Sequence, residues 1–125
     1  MPATVVIHAR DFAQPGVPPQ SISTATVNGT GVDISAVGFE GVVTLACSLG
    51  AVGTSGLFRV EDSADNSTFG TPAGGAITTA ALTGANTSVT LNFDVRNVKR
   101  YVRAVCVAVG VVLMGATFIG TKKVA

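Results

Sequence analysis

The side chains that most often carry catalysis or bind transition metals are scarce in this sequence. It contains one histidine, His8, and two cysteines, Cys47 and Cys106. These residues show neither the partners of a nucleophilic triad nor the close spacing of zinc ligands. There is also no Gly-x-Gly-x-x-Gly and no Walker-type Gly-Lys-Ser/Thr that would bind phosphates. We therefore expect no catalytic residues, no metal site and no cofactor, in a protein that is not an enzyme.

These three residues are better explained as parts of β-strands. His8 lies in the alternating run of residues 4–9, which predicts a short strand with the histidine on its surface. The separation of Cys47 and Cys106 resembles that of the bridge in immunoglobulin domains, but the tryptophan that packs on that bridge is missing. No secretory signal precedes the first predicted strand. We therefore expect a reducing cytoplasm and two buried, unpaired thiols in apolar strands.

The composition predicts which elements must position these side chains. Apolar residues make up 47% of the 125 residues and charged residues only 12%, about half the usual charged share. This mixture disfavours disorder and also disfavours a helical bundle. Valine and threonine are abundant, and they fit a pleated surface well. With turns every 8–12 residues, we predict an all-β, single-domain antiparallel β-sandwich of seven to eight strands, jelly-roll or immunoglobulin-like, spanning residues 1–125.

Within this sandwich, the sequence predicts the structure of several individual segments. Residues 11–20 contain three prolines, so we expect an irregular arm that follows the first strand, with the two together covering about residues 1–21. Residues 42–49 are apolar on both faces, which predicts a central strand. Residues 71–84 are rich in glycine, alanine and threonine and are expected to form a long, mobile loop. Residues 98–109 are predicted as the longest strand, and residues 111–121 as the last one.

The uncharged stretch of residues 104–121 has two interpretations. Its 18 residues meet the length criterion for a membrane-spanning helix. Glycines at five-residue intervals and alternating valines instead favour two buried strands that meet at a turn near Gly110. We favour the strands, and a membrane-anchored protein remains an alternative.

The charges are distributed unevenly, although the net charge is only +1. Residues 1–95 hold two basic and seven acidic side chains, whereas residues 96–125 hold six basic and no acidic ones. This asymmetry indicates either a surface that docks on an acidic partner or a few solvated charges that neutralise the acidic first part of the chain. So few basic residues and one tyrosine are a weak signal for nucleic acid, and we expect no nucleic-acid partner.

The candidate protein interface consists of Lys99, Arg100, Tyr101 and Arg103. Strand alternation predicts that Lys99, Tyr101 and Arg103 share one face, while Arg100 points the other way with Val102. The tyrosine would then pack against the two cationic side chains beside it. Charge reversal at Lys99 and Arg103 is expected to weaken assembly and to leave the fold intact.

Three segments in order resemble a known group of proteins. They are Phe-Glu-Gly-Val-Val-Thr-Leu at residues 39–45, the strand with its Asp-Asn-Ser turn at residues 58–69, and Val-Lys-Arg-Tyr-Val-Arg-Ala-Val at residues 98–105. Together, across about residues 39–120, they resemble small β-sandwich proteins of tailed bacteriophages and prophages. The resemblance implies a capsid decoration, or cement, protein.

That role implies partners and a location. The chain would bind the major capsid protein on the outside of the virion, after synthesis in the bacterial host cytoplasm. It would form a homo-oligomer, with a trimer favoured over a dimer. A β-sandwich adhesion or carbohydrate-binding module is a further alternative, which the scarcity of tyrosine and tryptophan disfavours.

Overall fold

Nine strands and two single-turn helices make up residues 11–122, the part of the chain that the structure, a computed structural model, describes. The strands are β1 (Asp11–Ser23), β2 (Thr26–Asn28), β3 (Val32–Asp33), β4 (Phe39–Val52), β5 (Ser55–Ser63), β6 (Ile77–Thr78), β7 (Thr87–Asp94), β8 (Tyr101–Val109) and β9 (Val111–Lys122). Helix α1 covers Ile34–Val37, and a 3-10 turn covers Val95–Asn97. The strand predicted around His8 lies outside the described residues.

The strands form two antiparallel sheets, which confirms the predicted β-sandwich. The first sheet has the order β1-β9-β4-β7. The second has the order β2-β8-β5-β6, and β3 also pairs with β8. The strands beyond the predicted seven or eight include pieces of two or three residues, which are too short to show an alternating pattern.

The core lies between the inner faces of the two sheets. Alternate residues of the long strands point inward, and Leu45, Phe58 and Phe118 are fully buried there. The rings of Phe93 and Phe118 meet edge to face, with their centroids 6.2 Å apart. Strand β4 lies between β9 and β7, so the prediction of a central strand at residues 42–49 is confirmed.

The prediction of an irregular arm at residues 11–20 is wrong. These residues belong to β1, an edge strand that pairs with β9 from Asp11 to Ser23. Proline is tolerated there because an edge strand has one side that needs no hydrogen-bond donors. The pairing shifts register on both sides of Val17. These irregularities accommodate the prolines while the buried Val17 side chain joins the core.

Two other boundaries also differ from the predictions. The loop at residues 71–84 contains β6, which pairs with Arg59 and Val60, and a bridge between Leu82 and Gly56. The strand predicted to begin at residue 98 begins instead at Tyr101. The Asp94 carboxylate accepts a hydrogen bond from the backbone N–H of Arg96 at 2.9 Å, which caps the 3-10 turn and delays the strand.

Residues 104–121 form strands, as the favoured interpretation predicted. They belong to β8 and β9, and Gly110 between them has a φ of 75°, which glycine adopts readily. Within residues 11–122, no helix has the length and apolar character needed to cross a bilayer. Only one face of β9 is buried, however. Val111, Leu113 and Ile119 are exposed.

The two cysteines are unpaired and buried, which confirms that prediction. Cys47 lies in β4 and Cys106 in β8, one in each sheet. Burial raises the pKa of each thiol to about 12, and for Cys47 the neighbouring Cys106 adds to the shift.

We expect the native protein to resist thiol reagents. A thiol with a pKa of about 12 holds roughly a thousandfold less thiolate than one at the ordinary 9.0, and the thiolate is the reactive form. Alkylation followed by mass spectrometry should find two labelled thiols in denaturant and almost none in native protein. A Ser48→Cys variant, with an exposed thiol on β4, is the control and should be labelled rapidly. An intact disulfide, or native labelling as fast as in the control, would contradict the expectation.

Candidate protein interface

The Arg103 side chain of the predicted interface is bound to a carboxylate of its own chain. Arg103 lies opposite Glu61 in the pairing of β8 with β5. Its Nε and Nη2 donate to Glu61 Oε1 at 3.0 and 2.6 Å, and Arg59 Nε donates to Oε2 at 3.1 Å. The Arg103 guanidinium also lies 4.4 Å from the centroid of the Phe69 ring. Both arginines therefore share one acidic partner on the outer face of the second sheet.

The Glu61 carboxylate is held in its charged form. Burial raises the pKa of this group, but the hydrogen bonds from Arg103 and Arg59 outweigh burial, and the net pKa is lowered from 4.5. The Glu61 side chain is only 13% exposed and that of Arg103 is 21% exposed. The pair is thus more shielded than an ordinary surface ion pair.

Arg100 is also paired within the chain. Its Nε and Nη2 donate to the two carboxylate oxygens of Asp33 at 3.0 and 2.8 Å, and the bond from Arg100 lowers the pKa of Asp33. Its guanidinium lies 5.3 Å from the centroid of the Tyr101 ring. The prediction that Arg100 points away with Val102 is therefore wrong, because the strand begins only at Tyr101 and its alternation does not reach residue 100.

Lys99 is the exposed cation of this segment that has no ion-pair partner among the described residues. It precedes β8, so it does not share a strand face with Tyr101 and Arg103 as predicted. Its backbone N–H donates to Oδ2 of the buried Asp62 at 3.0 Å, which fixes the chain just before the strand. Among the described residues, no carboxylate lies within 4 Å of its ammonium group. The four predicted interface residues are therefore neighbours, but only Lys99 offers an unpaired charge.

A second surface is open on the outer face of the first sheet, and we call it the neutral face. Its exposed apolar side chains are Val42 (58%), Val111 (56%), Leu113 (45%) and Ile119 (43%). Threonine, alanine and serine fill the positions between them on β4, at Thr44, Ala46 and Ser48. The register places the acids of this face, Glu40 and Asp94, together at one end. Asp11 pairs with Thr121 at the same end, and residues 13–121 place no other charged residue on the strands of this face.

Sequence reasoning missed the neutral face, although a signal was present. Residues 111–119 are apolar at both odd and even positions, so the pattern indicated a strand buried on both sides. In the structure, the even positions Val112, Met114 and Phe118 fill the core. The odd positions Val111, Leu113 and Ile119 face outward with no layer above them in the described chain. A strand that is apolar on both faces is expected to have both faces covered. The pattern does not show whether the second face is covered by the same chain or by another molecule.

Solved structures share this fold. The chain is similar to the PBSX exported protein XepA, with 16% identity and a TM-score of 0.62, over 91% of this chain and 38% of that one. It is similar to a chain of the infectious bursal disease virus Gx strain, with 10% identity and a TM-score of 0.52, over 90% and 33% of the two chains. The SPBc2 prophage-derived protein YomS aligns over 88% of this chain and 93% of its own, with 12% identity and a TM-score of 0.49.

These similarities show the fold alone, because the sequence identities are low. The chain also spans well under half the length of the XepA chain and a third of the viral chain. No model of a protein family matches the chain, and a search of curated proteins by sequence gives no match. At this level the resemblance inferred from the sequence is confirmed: the β-sandwich fold is shared with phage-derived and viral proteins.

We expect Glu61→Gln to destabilise the fold by about 1 kcal/mol at pH 7, because two guanidinium groups lose a charged acceptor in a partly shielded site. Urea unfolding followed by circular dichroism measures this change. Since the folded pKa of Glu61 is lowered, its contribution is complete above its ordinary value of 4.5 and is lost as the pH falls through the folded pKa. The difference between parent and variant should therefore shrink in acid.

The control for this substitution is Arg96→Gln. The Arg96 side chain is 83% exposed in its pair with Asp94, so its loss should change the unfolding free energy little. Equal effects of the two variants, or a difference for Glu61→Gln that persists at low pH, would show that the Glu61 pair does not stabilise the fold as described.

Proposed function

We propose that the chain is a structural protein of the virion of a tailed bacteriophage, which decorates the capsid exterior by binding the major capsid protein. The observation that carries this proposal is the neutral face. It places four exposed apolar side chains on one sheet: Val111 and Leu113 lie at the end away from Glu40 and Asp94, and Val42 and Ile119 lie near those acids. Exposed apolar side chains on a sheet face are typical of protein contact sites. The role requires binding and shape, with no catalytic step and no cofactor.

The neutral face fits a broad protein surface better than a small ligand. It is the outer face of a four-stranded sheet, and its side chains are short: valine, leucine, isoleucine, threonine, alanine and serine. Apolar contacts with few charges are typical of the centre of stable protein interfaces. A capsid shell offers an extended surface of repeated protein subunits, on which many copies of such a face bind side by side.

The shared fold and the sequence resemblance support the same proposal. The resemblance of residues 39–45, 58–69 and 98–105 is to phage β-sandwich proteins, and XepA is a PBSX protein with this fold. On this proposal the chain is made in the bacterial host cytoplasm and is carried on the outside of the virion. It acts there as a homo-oligomer.

The basic segment is the weaker candidate for the capsid contact. Arg100 and Arg103 each have a carboxylate partner in the same chain, so a capsid would have to compete with Asp33 and Glu61. Charge reversal at Arg103 would also set two carboxylates against each other and disturb the fold. Lys99→Glu is therefore the clean test of this segment, since the Lys99 side chain is exposed and has no ion-pair partner in the described chain.

The proposal is tested by co-sedimentation with purified, expanded capsids of the phage or prophage that encodes the chain. We expect the parent protein to bind, and Leu113→Lys to weaken binding by about tenfold, because a charge would be buried in the contact. Val109→Lys is the matched control, since Val109 is also 45% exposed but lies at the end of β8 in the other sheet.

Failure of the parent protein to co-sediment with these capsids would overturn the proposed function. Loss of binding in Lys99→Glu, with full binding in Leu113→Lys, would place the capsid contact on the basic segment instead of the neutral face. Equal loss in Leu113→Lys and Val109→Lys would show that the neutral face has no special part in the contact.

A further inference from the structure

The first sheet has two edges, and they differ in how they are protected. Strand β1 carries three prolines and two shifts of register, which are devices that block the pairing of another strand. Strand β7, Thr87–Asp94, contains no proline, glycine, lysine or arginine, and it pairs with β4 without a bulge. An edge of this kind is a template for another strand.

The backbone groups that β7 leaves open follow from its pairing with β4. The N–H of Asn86 donates to the carbonyl of Gly50 at 2.9 Å, directly before the pair of Thr87 with Leu49. In an antiparallel ladder every second residue forms such bonds, and the residues between them face the other way. The N–H and C=O groups of Thr87, Val89, Leu91 and Phe93 therefore point to the open edge. Within residues 11–122, no other strand is hydrogen-bonded to them.

We propose that this edge pairs with the same edge of a second copy of the chain. The two β7 strands run antiparallel about a two-fold axis at Thr90. Val89 of each copy then lies opposite Leu91 of the other, and Thr87 lies opposite Phe93. This is the one register in which all four open residues of each strand have a partner, and it doubles the first sheet from four strands to eight.

The side chains of β7 are compatible with this register. On the outer face Thr90 meets Thr90 and Ser88 meets Asn92, so no charged side chains oppose each other. The acid of the strand, Asp94, lies opposite the uncharged Asn86 instead of a second Asp94. On the inner side Val89 and Leu91 are only half-buried, because β6, the edge strand of the second sheet, is two residues long. Pairing gives both side chains an apolar neighbour.

The surroundings leave space for the second strand. At the Phe93 end, an open groove of about 330 Å³ lies between residues 72–77 and the end of β7. The partner's Thr87 would enter this groove. The self-pairing of β7 does not depend on the capsid contact, and it favours a dimer where the sequence favoured a trimer.

Cross-linking tests the register directly. In the proposed dimer the two Thr90 residues form a pair without mutual hydrogen bonds, whose Cβ atoms lie about 4.5–5.5 Å apart. We expect Thr90→Cys to form an intermolecular disulfide rapidly under oxidised glutathione, with twice the chain mass on a non-reducing gel. The matched control is Ser48→Cys, which is exposed on the same face of the adjacent strand β4 and should cross-link slowly.

Sedimentation equilibrium of the free protein tests the association itself. We expect a concentration-dependent dimer for the parent, and for Thr90→Lys a dissociation constant about fivefold higher or more, since two like charges then meet at the axis. Ser48→Lys should dimerise as the parent does, and circular dichroism should show the parent fold for both variants. A parent that stays monomeric, a trimer insensitive to Thr90→Lys, or equal cross-linking of the two cysteine variants would overturn the proposal. Because no capsid is present, these results are independent of the capsid-binding test.

Discussion

The turn at Gly110 is the constraint on which both sheets depend. It joins β8 to β9, and each of these strands is an interior strand of a different sheet. Thr24 closes this corner: its N–H donates to the Gly110 carbonyl at 2.9 Å, and its hydroxyl accepts from the Gly110 N–H at 3.0 Å. A Cβ at Gly110 would lie 3.0 Å from the backbone nitrogen of Thr54, at a positive φ. A side chain at Gly110 would therefore disturb the corner where the connections β1–β2, β4–β5 and β8–β9 pass between the two sheets.

Because the two sheets stack directly on each other, the side chains of their inner faces form the core. The two outer faces differ in composition. The outer face of the second sheet carries arginines that are neutralised by Glu61 and Asp33. The outer face of the first sheet carries small and apolar side chains instead. Three of the four ion pairs of the described residues thus lie on the second sheet. The outer face of the first sheet, away from the end with Glu40 and Asp94, is suited to contact with protein.

The neutral face and the open β7 edge belong to the same sheet. If two copies pair along β7, their neutral faces become parts of one continuous sheet surface, and the area available for a capsid contact is doubled without new side chains. On these two proposals, the edge would supply backbone hydrogen bonds and the face would supply apolar area, so self-association and capsid binding would use different groups of the same sheet. In the proposed dimer, the protected β1 edge would limit further strand pairing to a closed pair.

The sequence by itself determined the fold class, the central position of residues 42–49, the turn at Gly110 and the burial of both cysteines. Each of these depends on local alternation, on a glycine or on the apolar residues beside a thiol, and all of these are visible within a few residues. The resemblance to phage β-sandwich proteins came from the order of three such local segments. It was confirmed as a shared fold, while the decoration role stays a proposal.

Only the tertiary structure decided which strands pair with each other and which side chains meet. The prolines of residues 11–20 are accommodated in a strand because β9 pairs with one side of it, and the sequence does not show which side is open. The pairing of Arg103 with Glu61 joins residues 42 positions apart and depends on the register of β8 with β5. Val111, Leu113 and Ile119 are exposed because no third layer within residues 11–122 covers the first sheet. Alternation along a strand fixes which side chains share a face, but only the stacking of the sheets decides which face meets the core.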